Sequence, residues 1–361
     1  MAVTGHGALD LLTHFPSSQQ ETTMNTYISR RNLMSLAAST VAAGPLLQVN
    51  AQNQIVMKIA AATINDVQHF WMKSFQAAIE NRTGGRIKVE LYPASQLGAI
   101  PRMVEGTAMG TIECFATASS FLTSLDPRFE VFDVPGVIHD TPHAVKAFQD
   151  PEMRKLIFSF GGNRGLESIS VFMHSPQNLV SRKPIRTLAD LNGQKIRVLS
   201  TPLQMEPIKK LGGAPVPMPL SEVMPALQNG AIDGFIAAST VFSALKFYDA
   251  AKYQTQLPQW PLIVVIACNK AWLTKLPADL RAIVQEEAAK SEAAANEFGV
   301  QDITRARDVW TQNGGQLVSL STDEAATFSK VVNQTATEII NKNTAAKGVF
   351  ETYANIARKY K

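Results

Sequence analysis

The chain has 361 residues, 45% apolar and 18% charged, which excludes disorder, collagen and coiled coil as its main architecture; at roughly 100–200 residues per domain it predicts two or three domains. Its net charge of +4 comes from Lys and Arg scattered along the chain, a balance that excludes nucleic acid as an expected partner and suits small anionic ligands. Two cysteines, Cys114 and Cys268, cannot build a disulfide scaffold or a zinc site of clustered thiolates.

Ser29-Arg30-Arg31-Asn32-Leu33 precedes an apolar run from Leu33 to Val49 that ends in Val49-Asn50-Ala51, the pattern of an export signal with a small-residue cleavage site. The paired arginines resemble a twin-arginine signal, with a general secretory signal as the alternative. The run is too short, and too interrupted by Ser35, Thr40, Gly44 and Pro45, to span a bilayer. Residues 1–23 have no place in such a signal, and Met24 makes the better start. The expectation is an upstream extension and export signal over residues 1–51 (signal about 24–51). A mature periplasmic chain from about Gln52, without membrane insertion, would follow.

Ile55 to Ala62 reads as a strand, and Asn65-Asp66 caps a helix in which Trp71, Phe75, Ala78 and Ile79 recur at helical spacing. Gly84-Gly85 ends it. Ile87, Val89 and Leu91 alternate with Lys88 and Glu90 as a second strand. A helix over 100–109 and a strand over 111–117 complete a β–α–β–α–β rhythm, which predicts a largely parallel sheet with helices on its faces. Further strands are expected over 166–173, 195–199, 231–237 and 262–268. Ser200-Thr201-Pro202 reads as a helix cap with Pro near the first position, and Ser221 opens another helix. Residues 278–313 form one helical stretch of roughly 50 Å, long enough to lie across two lobes. After a short strand over 317–320, Ser321 and Glu324 form a capping box for the last large helix.

The apparatus of an exported enzyme is missing. No G-x-S-x-G elbow, G-x-G-x-x-G loop or Walker pattern occurs. The glycine-rich run 161–165 follows a helix and precedes a strand, the reverse of a phosphate cradle. His139 and His143 have helical spacing for a metal, but Pro142 lies between them and Asp140-Thr141 looks like a helix start. They read as a loop His and a first-turn His. His69 at a helix start and His174 after a strand have no acid partner close in sequence. Cys114 and Cys268 sit in apolar strands, and their pairing is left open. No metal and no cofactor is expected.

Several stretches together resemble the solute-binding proteins of tripartite ATP-independent periplasmic (TRAP) transporters. These are Thr83-Gly84-Gly85-Arg86-Ile87 through Pro93, Gln96-Leu97-Gly98 and Phe132-Asp133-Val134-Pro135-Gly136 in the first part of the chain. Further on they are Leu188 to Val198, Gly212 to Pro219, Ser221-Glu222-Val223, Leu227 to Gly234 and Lys246-Phe247-Tyr248. The likeness covers residues 55–360. It implies an α/β, two-lobed periplasmic-binding-protein fold with a hinge, an interlobe cleft and a long helix spanning both lobes. Lobe I would comprise 52–174 plus about 263–302, and lobe II 175–262 plus about 303–361. It implies closure on a ligand and delivery to a TRAP membrane permease, without catalysis. A binding protein of another transporter type, a sensor accessory and an exported enzyme are the alternatives.

Arg197 has the clearest physical role. It lies near the end of its strand between apolar Ile196 and Val198, so alternation points it to the opposite face. The family uses the Arg at this motif position to hold a ligand carboxylate, and a guanidinium's parallel donors fit a carboxylate's two oxygens. Ser200 and Thr201 at the next helix start, Thr117 and Ser120 after a first-lobe strand, and Asn65 after the first strand are further lining candidates. The chain also departs from the family pattern. Phe235-Ile236-Ala237-Ala238 replaces the run whose Asn reaches the ligand, so Ala237 lines the cleft without a polar group. Gln177 stands where sugar-acid binders carry a second Arg, and Leu220 occupies the floor position. The expected ligand is therefore a small or apolar monocarboxylate, such as a 2-oxo, 2-hydroxy or aromatic acid.

Overall fold

The protein is described from a computed structural model covering residues 54–361. The expected upstream extension and export signal lie outside the described residues.

In chain order the elements are β1 (Ile55–Ala61), α1 (Val67–Arg82), β2 (Ile87–Tyr92), α2 (Ile100–Met109), β3 (Cys114–Ala118), α3 (Thr141–Gln149) and α4 (Pro151–Phe158). Then follow β4 (Leu166–Ser181), β5 (Lys195–Val198), α5 (Pro202–Lys210), β6 (Ala214–Pro217), α6 (Val223–Gln228), β7 (Gly234–Ala238) and α7 (Ser239–Ala244). The chain closes with β8 (Tyr253–Asn269), α8 (Lys270–Lys275), α9 (Ala278–Gln312), β9 (Gln316–Val318), α10 (Thr322–Lys342) and α11 (Thr344–Arg358). Short polar side chains start several of the helices by accepting from otherwise unpaired N–H groups. Asp66 accepts from His69 N, Asp140 from His143 N and Ser321 from Glu324 N. The Glu324 carboxylate does not return the bond; it accepts from Leu188 N at 2.9 Å and so ties α10 to the chain ahead of β5.

The strands form a sheet of order β2-β1-β3-β8-β4-β7-β5-β6, with β9 beside β8. The expectation of a largely parallel sheet holds inside each half, where β1 pairs parallel with β2 and β3, and β5 with β6 and β7. Across the middle it fails. β4 and β8 pair antiparallel with each other, and with β7 and β3 respectively. Both are about twice as long as their sequence patterns suggest. One end of the β4–β8 pair completes the first half of the sheet, where Cys114 to Ala118 face Cys268 to Val264. At the other end, Gln177 to Ser181 pair with Ala238 to Gly234 of β7. Two α/β lobes thus share two continuous strands. Pro176, Pro258 and Pro261 interrupt the apolar pattern at the crossing. The ladder shifts register there, between Met173 and Ser175 and between Pro176 and Asn178. Proline within a sheet is found at such irregularities because it cannot donate to the ladder.

α9 runs 35 residues, as expected, and touches both halves. Its first turns meet α1 through Arg82 with Glu286 and Glu287 at 2.6 Å, and Phe298 stacks on Phe70. In the middle, Glu292 accepts from Val171 N of β4 at 3.0 Å. Further along, Ala306 O accepts from Ser243 of α7. α10 packs on α5, whereas α11 returns to α3, α4 and the turn Pro127–Asp133, where Tyr353 meets Phe132 edge-on at 5.5 Å. Cys114 and Cys268 face each other in the β3–β8 ladder and form a disulfide. Among the described residues no helix is long and apolar enough to cross a membrane.

Candidate functional site

Strand β5 is four residues long and buries its last three. Ile196 and Val198 enter the core cluster of the second lobe with Leu179, Ile208 and Trp260, so Arg197 points to the other face. There it is 2% exposed. Its Nε donates to Met218 O at 2.9 Å and its Nη1 to Ile236 O at 3.0 Å. Those two carbonyls fix the plane of a guanidinium that carries five N–H donors. Among the described residues no carboxylate pairs with it. Burial lowers its pKa to about 10, still high enough to keep it a cation at neutral pH.

Arg197 forms part of the wall of a cavity where the two lobes meet. Leu199, Leu220 and Ala237 of the second lobe lie beside it, and Thr63, Gln68 and Thr117 come from the first. The crossing strands contribute His174 and Leu262. About 50 Å³ is open to the centres of water-sized spheres. One buried water needs roughly 10–15 Å³ on that measure, so the space suits a ligand of a few non-hydrogen atoms.

His174 has no acid partner close in sequence; the fold brings one to it from 108 residues away. Its Nε2 lies 2.9 Å from Asp66 Oδ2 and its Nδ1 3.1 Å from Thr240 Oγ1, with the His and Asp side chains fully buried. Burial alone would raise Asp66. The charge and hydrogen bond of His174, with help from His69 N, hold it below the usual carboxylate value. The relay joins α1 of the first lobe, crossing strand β4 and α7 of the second. His143 and His139 occupy the expected first-turn and loop positions, and the ring nitrogens of His143 serve the fold. His143 Nδ1 accepts from His139 N, and its Nε2 bonds Ala357 O.

Of the nine candidates named from sequence, Thr117, Arg197, Leu220 and Ala237 line the cavity. The other five do not. Asn65 adopts a left-handed backbone (φ 58°), donates its N–H to His69 Nδ1 and turns its carbonyl toward Arg305. Gln177 is buried in β4, with Nε2 donating to Pro261 O at 3.3 Å. Ser120 donates to Asp133 at 2.6 Å. Thr201 does not cap α5 with its side chain; it reaches Asp133 across the lobe boundary at 3.3 Å. Ser200 lines a neighbouring hollow with Ser120. Asp133 itself is driven up to about 7, by burial first and by the charge of Glu130, against the hydrogen bonds from Ser120 and Thr201. Sequence reading missed Gln68 and His174. Helical spacing alone gave Gln68 no distinguishing mark, and only the α1–β4 contact reveals the partner of His174.

Two lobes that meet over a ligand-sized cavity, on strands continuous through both, define the class of bilobal solute-binding proteins. Within that class, residues 60–343 match the family model of bacterial extracellular solute-binding protein, family 7. The chain belongs to this family, to which the TRAP-type receptors suggested by its motifs also belong. It is 30% identical over 257 residues to the 2,3-diketo-L-gulonate-binding periplasmic protein YiaO of Escherichia coli, covering 70% of this chain and 77% of the relative. A TRAP periplasmic solute-binding protein from Desulfovibrio salexigens, solved with bound orotic acid, superposes with a TM-score of 0.80. Identity there is 23%, over 85% of this chain and 99% of the other. The sugar acid binding protein DctPAm from Advenella mimigardefordensis, solved with galactonate, gives 0.80 at 22%, over 85% and 98%. At those identities the two structures speak for the fold.

Proposed function

We propose that the protein is a periplasmic receptor that captures a small monocarboxylate between its lobes and delivers it to a TRAP membrane permease, without turning it over. The observation that carries this reading is Arg197: a buried cation without an acid partner among the described residues, fixed by two carbonyls in the cavity wall. A carboxylate entering there meets parallel donors and restores charge balance to a desolvated site. The tight, mostly apolar wall, with Leu220 and Ala237 beside the cation and Gln177 directed away, favours a short acid over a polyhydroxylated one. Relatives that bind sugar acids support the carboxylate chemistry. The same reading divides the chain into 52–174 with about 263–302, and 175–262 with about 303–361, with α11, assigned from sequence to the second lobe, packing back on α3 and α4 of the first.

Thermal-shift and calorimetric titration of the chain against short 2-oxo, 2-hydroxy and aromatic acids, sugar acids and dicarboxylates tests the proposal. At ligand near 100 Kd the added stability is about 2.7 kcal/mol, or a Tm rise of roughly 4 °C for a chain of this size. Arg197→Ala is expected to weaken binding about 30-fold to several thousand-fold, because one partner of a desolvated charge pair is lost. Unchanged affinity in that variant would move the site elsewhere. Preferential binding of a sugar acid or a dicarboxylate would overturn the monocarboxylate assignment.

A further inference from the structure

Gln68 sits in the first turn of α1, on the first-lobe wall of the cavity whose second-lobe wall holds Arg197. It is 5% exposed, and its Oε1 is wholly buried without a hydrogen-bond partner. Among the described residues nothing accepts from its Nε2 either. A buried amide oxygen left without a donor is costly unless a bound molecule supplies one. The other polar groups of the wall do not serve it. Both ring nitrogens of His174 are engaged, by Asp66 and Thr240. Arg197 offers donors only, and the hydroxyls of Thr63 and Thr117, the first of them also buried without a partner, can turn to give or to take, so they do not discriminate.

We propose that Gln68 is the specificity-determining residue of the cavity and selects a short monocarboxylate bearing a hydroxyl over its oxo counterpart. This rests on the carboxylate reading of Arg197. With the carboxylate drawn to Arg197, the remaining polar substituent of a short acid faces the other lobe. An oxo oxygen only accepts, so it satisfies the amide N–H and leaves the amide oxygen orphaned. A hydroxyl both donates and accepts, and it completes the amide whichever way round the side chain lies. A site built to bond a hydroxyl rejects an analogue that lacks the donor, because its own buried group is then unpaired.

Calorimetry with matched pairs decides the matter: pyruvate against each enantiomer of lactate, and 2-oxoisovalerate against each enantiomer of 2-hydroxyisovalerate. One hydroxy enantiomer is expected to bind at least about tenfold tighter than its oxo partner. In Gln68→Met, of similar length without the polar end, the ratio is expected to fall to within about twofold. Gln68→Ala gives a second reading of the same ratio should the longer side chain misfold. An oxo acid that binds as tightly as the better of its two hydroxy enantiomers, or a ratio that survives in both variants, overturns the inference. If Arg197→Ala abolishes binding while the ratio survives without Gln68, only this inference fails. If Arg197→Ala leaves affinity unchanged, or neither member of any pair binds, the carboxylate reading fails and takes this one with it.

Discussion

Arg197 and Asp133 are both buried near the lobe boundary, and each is incompletely compensated in a different sense. Arg197 remains a cation whose side-chain partners are neutral carbonyls. A lysine there would keep the charge and lose the planar fork, so Arg197→Lys is expected to weaken carboxylate binding at least tenfold. Equal affinity by titration calorimetry would show that charge alone matters. Asp133, by contrast, holds its proton up to about pH 7 because burial outweighs the bonds from Ser120 and Thr201. The sign follows from linkage. Below the ordinary carboxylate value the folded and unfolded states are both protonated, and no penalty applies. As pH rises from about 4 toward 7 the unfolded chain ionises first, and the folded state loses stability by up to a few kcal/mol. Asp133→Asn stays neutral and can still accept from Ser120. Its Tm relative to the wild type is therefore expected to climb between pH 5 and 8; parallel Tm profiles would rule out Asp133 as the source. Arg197 was legible in the sequence because strand alternation and the family motif agree on it. Gln68 was not, since an amide inside a regular helical pattern announces nothing until its neighbours are known.

Among the elements, α1 carries the most varied load for its length. Its N-cap, Asp66, closes the helix start and also holds His174 in the crossing strand. The two roles separate by substitution. Asp66→Ser keeps a capping oxygen but is too short to reach the imidazole, so its cost reports the buried pair, about 1–3 kcal/mol. Asp66→Ala loses the cap as well and is expected to cost about 0.5–2 kcal/mol more. Denaturant titration of the three chains reads both differences, and a serine variant as stable as wild type would show that the His174 contact contributes nothing. The elements themselves show where sequence patterns carry information. α9 was legible almost to the residue because it lacks internal proline and ends at paired glycines. β4 and β8 were each read as half their length, because Pro176, Pro258 and Pro261 break the pattern where the strands pass between lobes. The antiparallel centre of the sheet escaped sequence reading for another reason: pairing across 154 residues, as between Cys114 and Cys268, leaves no local trace.

At the scale of the whole molecule, the lobes meet at the cavity and again at Asp133, where Thr201 of the second lobe reaches the Ser120–Asp133 pair of the first. The strands between them are irregular at the crossing, with shifted register and a left-handed Gln259 (φ 52°), so bending there disturbs few ladder bonds. A charge placed at position 201 should therefore bias the lobes apart without touching the cavity. Thr201→Asp sets a second carboxylate against Asp133. At pH 9.5, high enough to ionise the pair although each carboxylate raises the pKa of the other, the closed form is penalised, and apparent affinity for the ligand is expected to fall about tenfold or more, since the ligand must drive closure against repulsion. Small-angle scattering should show a larger radius of gyration. At pH 5.5 Asp133, titrating near 7, is neutral, and both effects should largely vanish. Thr201→Asn, similar in size to the aspartate but uncharged, should show neither at either pH. Loss of affinity equal at both pH values, or shared by the asparagine variant, would mean that bulk at the α5 start matters and that Asp133 does not latch the lobes.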